Sequence, residues 1–504
     1  MKEAKKLDLN QKADICLILE GSYPYVRGGV SSWVNDLMLS HKDMTFSIVS
    51  IIPENYDETY KYELPSNLIG IHNIRLQEMP TGRRFISRKK LREIEETLKR
   101  LLMDIYIKKK LNSFEELISY LSLNRKVIGK HILLNSLATW GIIRHMYNET
   151  MKNGSFIDYF WSWKILFGGL FSVLLSALPK ASCYHAICTG YAGIYLARAH
   201  FETGSACVLT EHGIYTNERR IEISTADWLY SQSSFSLSVA ESNRTSDLQH
   251  MWTEIFSIYS KFAYEVCSYV TTLFEGNRQL QINDGAPPER TIIIPNGINY
   301  AKYSSIKKKP HLSPTIALIG RVVLIKDIKT FIQAVGKVKQ KIPDIVAYII
   351  GSQDEEPLYV EECIELVKYL ELSKNIIFTG NQNISDFIGR IDILVLTSLS
   401  EAQPLVILEC GAAAIPSIVT DVGSCRELIE GAPDEDPNLG AGGIVVPLSS
   451  HEAVSGAIEL LLTNPSMYYD YSKSIQERVK KYYTSELQHL RYQKIYDELI
   501  KKGS

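Results

Sequence analysis

Short apolar runs alternate with helical segments along most of this chain, and that alternation restricts it to parallel sheets with crossover helices, an α/β class. In the first half the strand candidates are Ala13–Glu20, Thr45–Ile52, Cys183–Thr189, Ala206–Thr210, Tyr269–Phe274 and Thr291–Pro295. A second series follows at Thr315–Ile319, Ile345–Ile350, Asn375–Thr379, Asp392–Thr397, Ser417–Asp421 and Ile444–Pro447, each separated by one helix. The 504 residues suffice for two doubly wound domains with separate cores. The expected division is a first domain over 1–298, a Pro- and Lys-bearing linker over 299–314, a second domain over 315–464, and C-terminal helices over 465–504 that pack back on the first domain.

Between about residues 83 and 180 the alternation stops. Leu91, Ile94, Leu98, Leu101, Leu102 and Ile105 recur at helical spacing, so this stretch reads as a helical insertion in the first domain. It also concentrates charge: Arg83 to Lys110 holds 11 Lys/Arg against 4 Asp/Glu in a chain whose net charge is −2. The near-neutral balance argues against a nucleic-acid binder. The basic clusters flanking the Leu91–Ile105 stripe are expected to face solvent, either as a plain solvated face or as a segment that docks the protein reversibly on an inner membrane or a membrane partner. The run ILFGGLFSVLLSAL (Ile165–Leu178) is too short to span a bilayer and reads as a buried helix, so no transmembrane segment is expected. The N-terminal stretch carries no apolar core of a signal peptide, and the eight cysteines form no CxxC pair. Both point to a reducing, cytoplasmic setting.

Ligands of doubly wound sheets bind outside the strand C-termini, so the loops after the strands carry the candidate chemistry. After the first strand comes Gly21–Gly29, ending in Gly28-Gly29 at a helix start, where backbone N–H groups could approach an anion; the alternative is a turn needing positive φ. Gly320-Arg321-x4-Lys326 opens the second domain, placing two cations where a diphosphate would lie, or else on a solvated surface. Glu401 and Glu409 flank a helix start near Pro404; Glu409 interrupts an apolar run and needs partners, which a ribose diol would supply, the alternative being a helix-capping Glu401 and a satisfied core Glu409. His212, in Thr210-Glu-His-Gly213, is a candidate acid/base or sugar contact, or a structural histidine, and His185 is a weaker candidate. Asp434-Glu-Asp436 resembles a metal-binding DxD but lies in a Pro/Gly-rich loop and reads as solvated, so no metal site is expected.

Taken together, Glu401-x7-Glu409, Gly320-Arg321-x4-Lys326 and the paired glycines resemble glycosyltransferase family 4, whose members are retaining enzymes of the two-Rossmann-domain GT-B fold. The segments EGSYPYVRGGVSSWV (Glu20–Val34), HAICTGYAG (His185–Gly193), LTEHGIYTNER (Leu209–Arg219) and IPNGIN (Ile294–Asn299) are similar to the PelF-type transferases of Pel exopolysaccharide synthesis. The resemblance implies a UDP-sugar donor, a polysaccharide acceptor, inner-membrane synthase or exporter partners, no tightly bound cofactor and no metal. Arg321 and Lys326 would neutralise the diphosphate, Glu409 would hold the ribose, Glu401 the donor sugar, and Gly28 and Gly29 the phosphates or sugar. His212 matches the family histidine near the transferring sugar. Many members carry Phe-Gly after the first Glu where this chain has Gln403-Pro404, so phosphate contacts pass to the N–H groups of Leu405 or Val406. A sugar-nucleotide epimerase of the same fold and a non-catalytic nucleotide-sugar-binding subunit remain alternatives.

Overall fold

The computed structural model describes residues 6–152, 154–225 and 239–502. Residues 1–5, part of the stretch read for a leader, lie outside them. The chain forms two compact units: Met1–Thr272 with Arg278–Ile292 and Gln493–Ser504, and Leu273–Asn277 with Ile293–Tyr492.

The first unit holds β1 (Ala13–Glu20), β2 (Phe46–Ile52), β3 (Leu68–Arg75), β4 (Ala181–Ala186), β5 (Ala206–Thr210), β6 (Tyr269–Thr272) and β7 (Thr291–Ile293), ordered β3-β2-β1-β4-β5-β6-β7. Helix α1 (Gly29–Ser40) follows β1. Between β3 and β4 lie α2 (Arg88–Lys108), α3 (Leu111–Leu123), α4 (Lys130–Asn135), α5 (Leu137–Thr150) and α6 (Phe156–Leu175). Next come α7 (Tyr191–Thr203), α8 (Tyr215–Thr225), α9 (Val239–Val266) and α10 (Glu275–Asn283), the last with its first turn assigned to the second unit. The stripe of α2 is buried from Ile94 to Ile105, and it joins α6, α7 and α9 in one core with Cys16, Ile18 and Val49 of the sheet. Among the described residues no helix is long and apolar enough to cross a membrane. All eight cysteines are free thiols, seven of them buried.

The second unit carries α11 (Tyr300–Ser304), β8 (Thr315–Ile319), α12 (Ile328–Lys339), β9 (Val346–Ile350), α13 (Pro357–Tyr369), β10 (Ile376–Gly380), α14 (Ser385–Ile388), β11 (Ile393–Leu396), α15 (Leu405–Ala412), β12 (Ser417–Thr420), α16 (Cys425–Glu430), β13 (Gly443–Val446), α17 (His451–Thr463) and α18 (Pro465–Tyr482). Its sheet runs β10-β9-β8-β11-β12-β13, every pairing parallel. Strand periodicity feeds both faces: Ile316, Leu318, Ile393 and Val395 join one core, and Ala317, Ile319, Leu394 and Leu396 the other. The strand order reverses beside β8 and β11, so the loops after these two strands flank the switch point.

Three readings differ from the structure. Strand β3 (LIGIHNIR) was not among the candidates; it is an edge strand with Gly70, His72 and Asn73 in its run. A Cβ on Gly70 would lie 2.6 Å from the Leu7 backbone, which passes alongside. Residues 299–314 lie inside the second unit and include α11, capped by the Asn299 side chain. Finally, Glu435 is not solvated: Arg478, fully buried, grips both its oxygens at 2.6 and 2.9 Å.

The last helix, α19 (Ser485–Lys502), crosses from one unit's residues to the other's. Its end belongs to the first unit, where Tyr496 hydrogen-bonds His185 Nδ1 at 2.7 Å.

Candidate functional site

In the second unit, two loops are stitched together at the switch point. Thr397 at the end of β11 donates its hydroxyl to the carbonyls of Lys326 and Asp327 (3.1 and 2.9 Å), and Leu399 N–H donates to Ile325 O (2.8 Å). Asp327 then caps α12 through Thr330. This fixes Lys326, whose ammonium meets Glu401 Oε1 directly; Ser398 Oγ donates to the same oxygen at 2.6 Å. Both charged side chains are largely withdrawn from solvent, at 17% and 12% exposure. Gly423 supports the loop from below with φ +54°, and a Cβ there would lie 2.0 Å from Glu401 O.

Arg321 is not part of this pair. Its guanidinium is exposed and binds Glu355 Oε2 at 2.6 Å. Glu409 sits on the second turn of α15, where Oε1 accepts the Tyr303 hydroxyl at 2.7 Å. Burial pushes its carboxyl above the ordinary range, against the pull of the Tyr303 hydrogen bond and Lys302. The partner that Glu409 requires is thus supplied by α11, in the stretch read as a linker. Leu405 and Val406 open α15, and no side chain caps the helix at Pro404. Gln403, buried, accepts from Asn296 N–H at 2.7 Å and so anchors the loop to the segment after β7.

In the first unit, Gly28 precedes α1 with φ 174° and ψ 175°, extended backbone open to any residue, and no side chain caps it. Neither Gly28 nor Gly29 has a positive φ, so the positive-φ reading of this pair does not hold, and nothing lies within 4 Å of a Cβ position at either. Gly21 is the residue of this loop with positive φ, +54°, and Tyr56 donates to its carbonyl at 2.6 Å.

His212 lies against Trp33 of α1, ring centroids 4.8 Å apart and nearly perpendicular. Both ring nitrogens are shielded and without a hydrogen-bond partner. Burial holds the imidazole down to about 4, so it is neutral at pH 7. His185 is different in kind: Tyr496 and Thr210 (2.8 Å) satisfy both nitrogens, making it a core histidine. Two buried carboxylates escaped the sequence reading as structural hubs. Glu211 accepts from Tyr264 (2.6 Å) and Gln281 (2.9 Å), and Glu20 accepts from Ala192 N–H (2.8 Å) at the start of α7. Among the described residues, no group of three or more His, Cys, Asp or Glu is placed to hold a metal ion.

Residues 300–481 match the family model described as glycosyl transferases group 1, and residues 13–289 the one described as domain of unknown function (DUF3492). The chain is 25% identical over 260 residues to the N,N'-diacetylbacillosaminyl-diphospho-undecaprenol alpha-1,3-N-acetylgalactosaminyltransferase of Campylobacter jejuni, covering 49% of this chain and 64% of that protein. It is 24% identical over 178 residues to the N-acetyl-alpha-D-glucosaminyl L-malate synthase of Bacillus anthracis, covering 35% and 43%. The matches therefore span less than two thirds of either relative. Among solved structures, Anabaena Alr3699/HepE in complex with UDP superposes with a TM-score of 0.60 at 13% identity, covering 96% of this chain and all of that one. At that identity the likeness establishes the fold, GT-B. With a family model spanning more than half of its length, this chain belongs to the family described as domain of unknown function (DUF3492), here joined to a glycosyl transferases group 1 domain.

Proposed function

We propose that the protein is a retaining glycosyltransferase that moves a hexose or N-acetylhexosamine from a UDP-sugar onto a growing bacterial polysaccharide of the Pel type. The observation that carries this reading is the Lys326–Glu401 pair, held at the switch point by Ser398 and Thr397. A cation and a carboxylate fixed there suit a ligand with a diphosphate at one end and sugar hydroxyls at the other. The Lys326 ammonium has three donors, so it can keep Glu401 and still neutralise a phosphate. Arg321 adds a second cation by leaving Glu355, an exposed partner that costs little to release. Glu409, oriented by Tyr303, takes the ribose hydroxyls, and Leu405 and Val406 offer N–H groups at the uncapped start of α15. In the first unit, Gly28 and Gly29 leave the start of α1 open and are assigned to the phosphates or sugar, and His212, neutral at pH 7, is assigned to the transferring sugar.

Transfer then needs no carboxylate nucleophile. The acceptor oxygen bonds to the anomeric carbon on the face the diphosphate leaves, the carbon–oxygen bond to phosphate breaks, and its electron pair stays on the phosphate. The acceptor's proton passes to that phosphate oxygen, while Lys326 and Arg321 stabilise the departing charge. The donor is a substrate rather than a resident cofactor, the chain works in the cytoplasm, and its partners are inner-membrane synthase or exporter proteins.

The test is UDP release across a panel of UDP-sugars with and without a polysaccharide acceptor, with the product anomer determined. Acceptor-dependent release with retained configuration is expected. A free sugar-nucleotide isomer formed without acceptor, or UDP binding without turnover, would overturn the reading.

A further inference from the structure

The helical layer of the first unit exposes an apolar patch. On α6, Ile157, Trp161 and Ile165 follow at four-residue spacing and are 67%, 58% and 48% exposed, while Tyr159, Trp163 and Leu166 of the same helix are buried. Helix α5 adds exposed Leu137 and Trp140. Ring contacts join the two helices: Trp140 lies 5.3 Å from Phe156 and 5.8 Å from Phe160, and Phe160 lies 5.2 Å from Trp161. The Lys164 ammonium reaches over Phe160 and Trp161 at 5.5 and 5.9 Å. Isolated exposed apolar residues are ordinary; a contiguous aromatic face is not.

A basic strip is tied to this face. Arg83–Lys90 reads RRFISRKK, five cations and no acid, with Phe85 93% exposed in its middle. Among the described residues Arg83, Arg84, Arg88 and Lys89 form no ion pair, whereas Lys108 and Lys109 at the far end of α2 are paired with Asp104 and Glu254. Gln77 connects strip and patch. Its side-chain amide donates to Ile165 O (2.9 Å), and its main-chain carbonyl accepts from the Lys130 ammonium (3.1 Å). Lys130 N–H in turn holds Pro80 O (2.8 Å), and Arg83 N–H holds Val127 O (2.9 Å).

We propose that this face binds the surface of an anionic lipid bilayer, with Trp140, Trp161 and Phe85 at headgroup level and the Arg83–Lys90 strip over the acidic headgroups. Tryptophan is suited to that depth because one edge is apolar and the other polar, and unpaired cations beside it match the charge of acidic lipids. A second copy of the chain fits poorly, because a two-fold contact would set one basic strip near another. The proposal does not depend on which nucleotide sugar the second unit accepts.

The experiment is co-sedimentation of the full chain with vesicles of phosphatidylcholine alone or mixed with phosphatidylglycerol, at low and raised salt. Preferential binding to the anionic vesicles is expected, weakened roughly tenfold or more by Trp140→Ser with Trp161→Ser, and similarly by Arg83→Glu with Arg84→Glu. Raised salt should release the wild type. Unchanged circular dichroism and UDP affinity exclude misfolding of the Trp variants, and the charge variants test the idea at residues with no packing role. Equal binding to neutral vesicles, binding unaffected by both variant pairs, a self-association lost in the Trp variants, or binding only to protein-bearing native membranes would each overturn it.

Discussion

Lys326 and Glu401 come from loops 75 residues apart and meet side chain to side chain where the strand order of the second sheet reverses. Ser398, on the same oxygen, leaves that carboxylate with two donors and little water. The pair is therefore a structural clamp, and on the proposed reading it is also the charged surface that meets the donor.

Its two roles separate by mutation. Lys326→Ala leaves Glu401 with Ser398 in a site only 12% exposed, so stability should fall by on the order of 1–3 kcal/mol along with most activity. Arg321→Ala breaks a pair exposed at 57% and 48%, worth about 0–1 kcal/mol, so the melting temperature should hardly move while activity falls. Thermal unfolding and UDP release measured side by side decide this. Wild-type-like turnover in either variant removes the diphosphate assignment.

Gly423→Ala should be among the most damaging small changes in the second unit. The position needs φ +54°, and the added methyl would sit 2.0 Å from Glu401 O and 2.6 Å from Ala402 O. The loop carrying Glu401 must move, and a loss of about 2 kcal/mol or more is expected, with activity lost beyond what stability explains. Gly28→Ala is the control: extended backbone and open space predict an unchanged melting temperature, with any loss confined to donor binding. A stable, active Gly423→Ala protein would show that the loop is not held as described.

What the sequence makes legible follows from burial. Strands covered on both faces, such as ADICLILE and TIALI, read as continuous apolar runs, and their loops are found by counting forward. Edge strand β3 carries Gly, His and Asn and blends into its surroundings. The contacts that give each candidate its character are long-range and leave no local trace. Trp33 against His212, Tyr303 on Glu409 and Arg478 on Glu435 join residues 179, 106 and 43 positions apart. Lys and Pro made 299–314 look like a linker, although Tyr303 within it completes the environment of Glu409.

The two glutamates should separate by ligand. Glu409→Ala is expected to weaken UDP itself, because ribose is present in UDP, and Tyr303→Phe should weaken it less, by about 0.5–1.5 kcal/mol, through loss of one orienting hydrogen bond. Glu401→Ala should spare UDP affinity and weaken the intact UDP-sugar. Calorimetry with both ligands tests the division, which equal losses of UDP binding would refute.

Acid should draw on the first unit through its two buried histidines. His212 and His185 are held down to about 4 and about 3 by burial, below the unfolded value near 6.5. Between those limits the unfolded chain binds more protons at these two sites, so their contribution to stability is complete above about pH 6.5 and falls as pH drops toward 4, against the opposite contribution of the raised carboxyls of Glu20 and Glu211. His212→Asn should flatten that slope, since its ring makes no hydrogen bond to lose. Activity that uses neutral His212 should hold to about pH 5. Melting temperatures across this range, unchanged in slope by the substitution, would remove His212 as the titrating group.

Activity is expected to survive exhaustive chelation. On the proposed reading, neutralisation of the diphosphate falls to Lys326 and Arg321, which follow β8, and needs no metal. Within the acidic triplet the middle residue is engaged: Arg478, fully buried, holds both oxygens of Glu435 and also donates to the Gly440 and Ile429 carbonyls, while Asp434 and Asp436 are exposed. That clamp sets the Asp434–Asp436 loop by its own packing, so a cation is not needed to shape it. Transfer rates measured after EDTA treatment and dialysis should match those of untreated protein. A rate abolished by EDTA and restored by manganese or magnesium would place a cation beside the leaving diphosphate and demote Arg321 from neutralising group to surface residue.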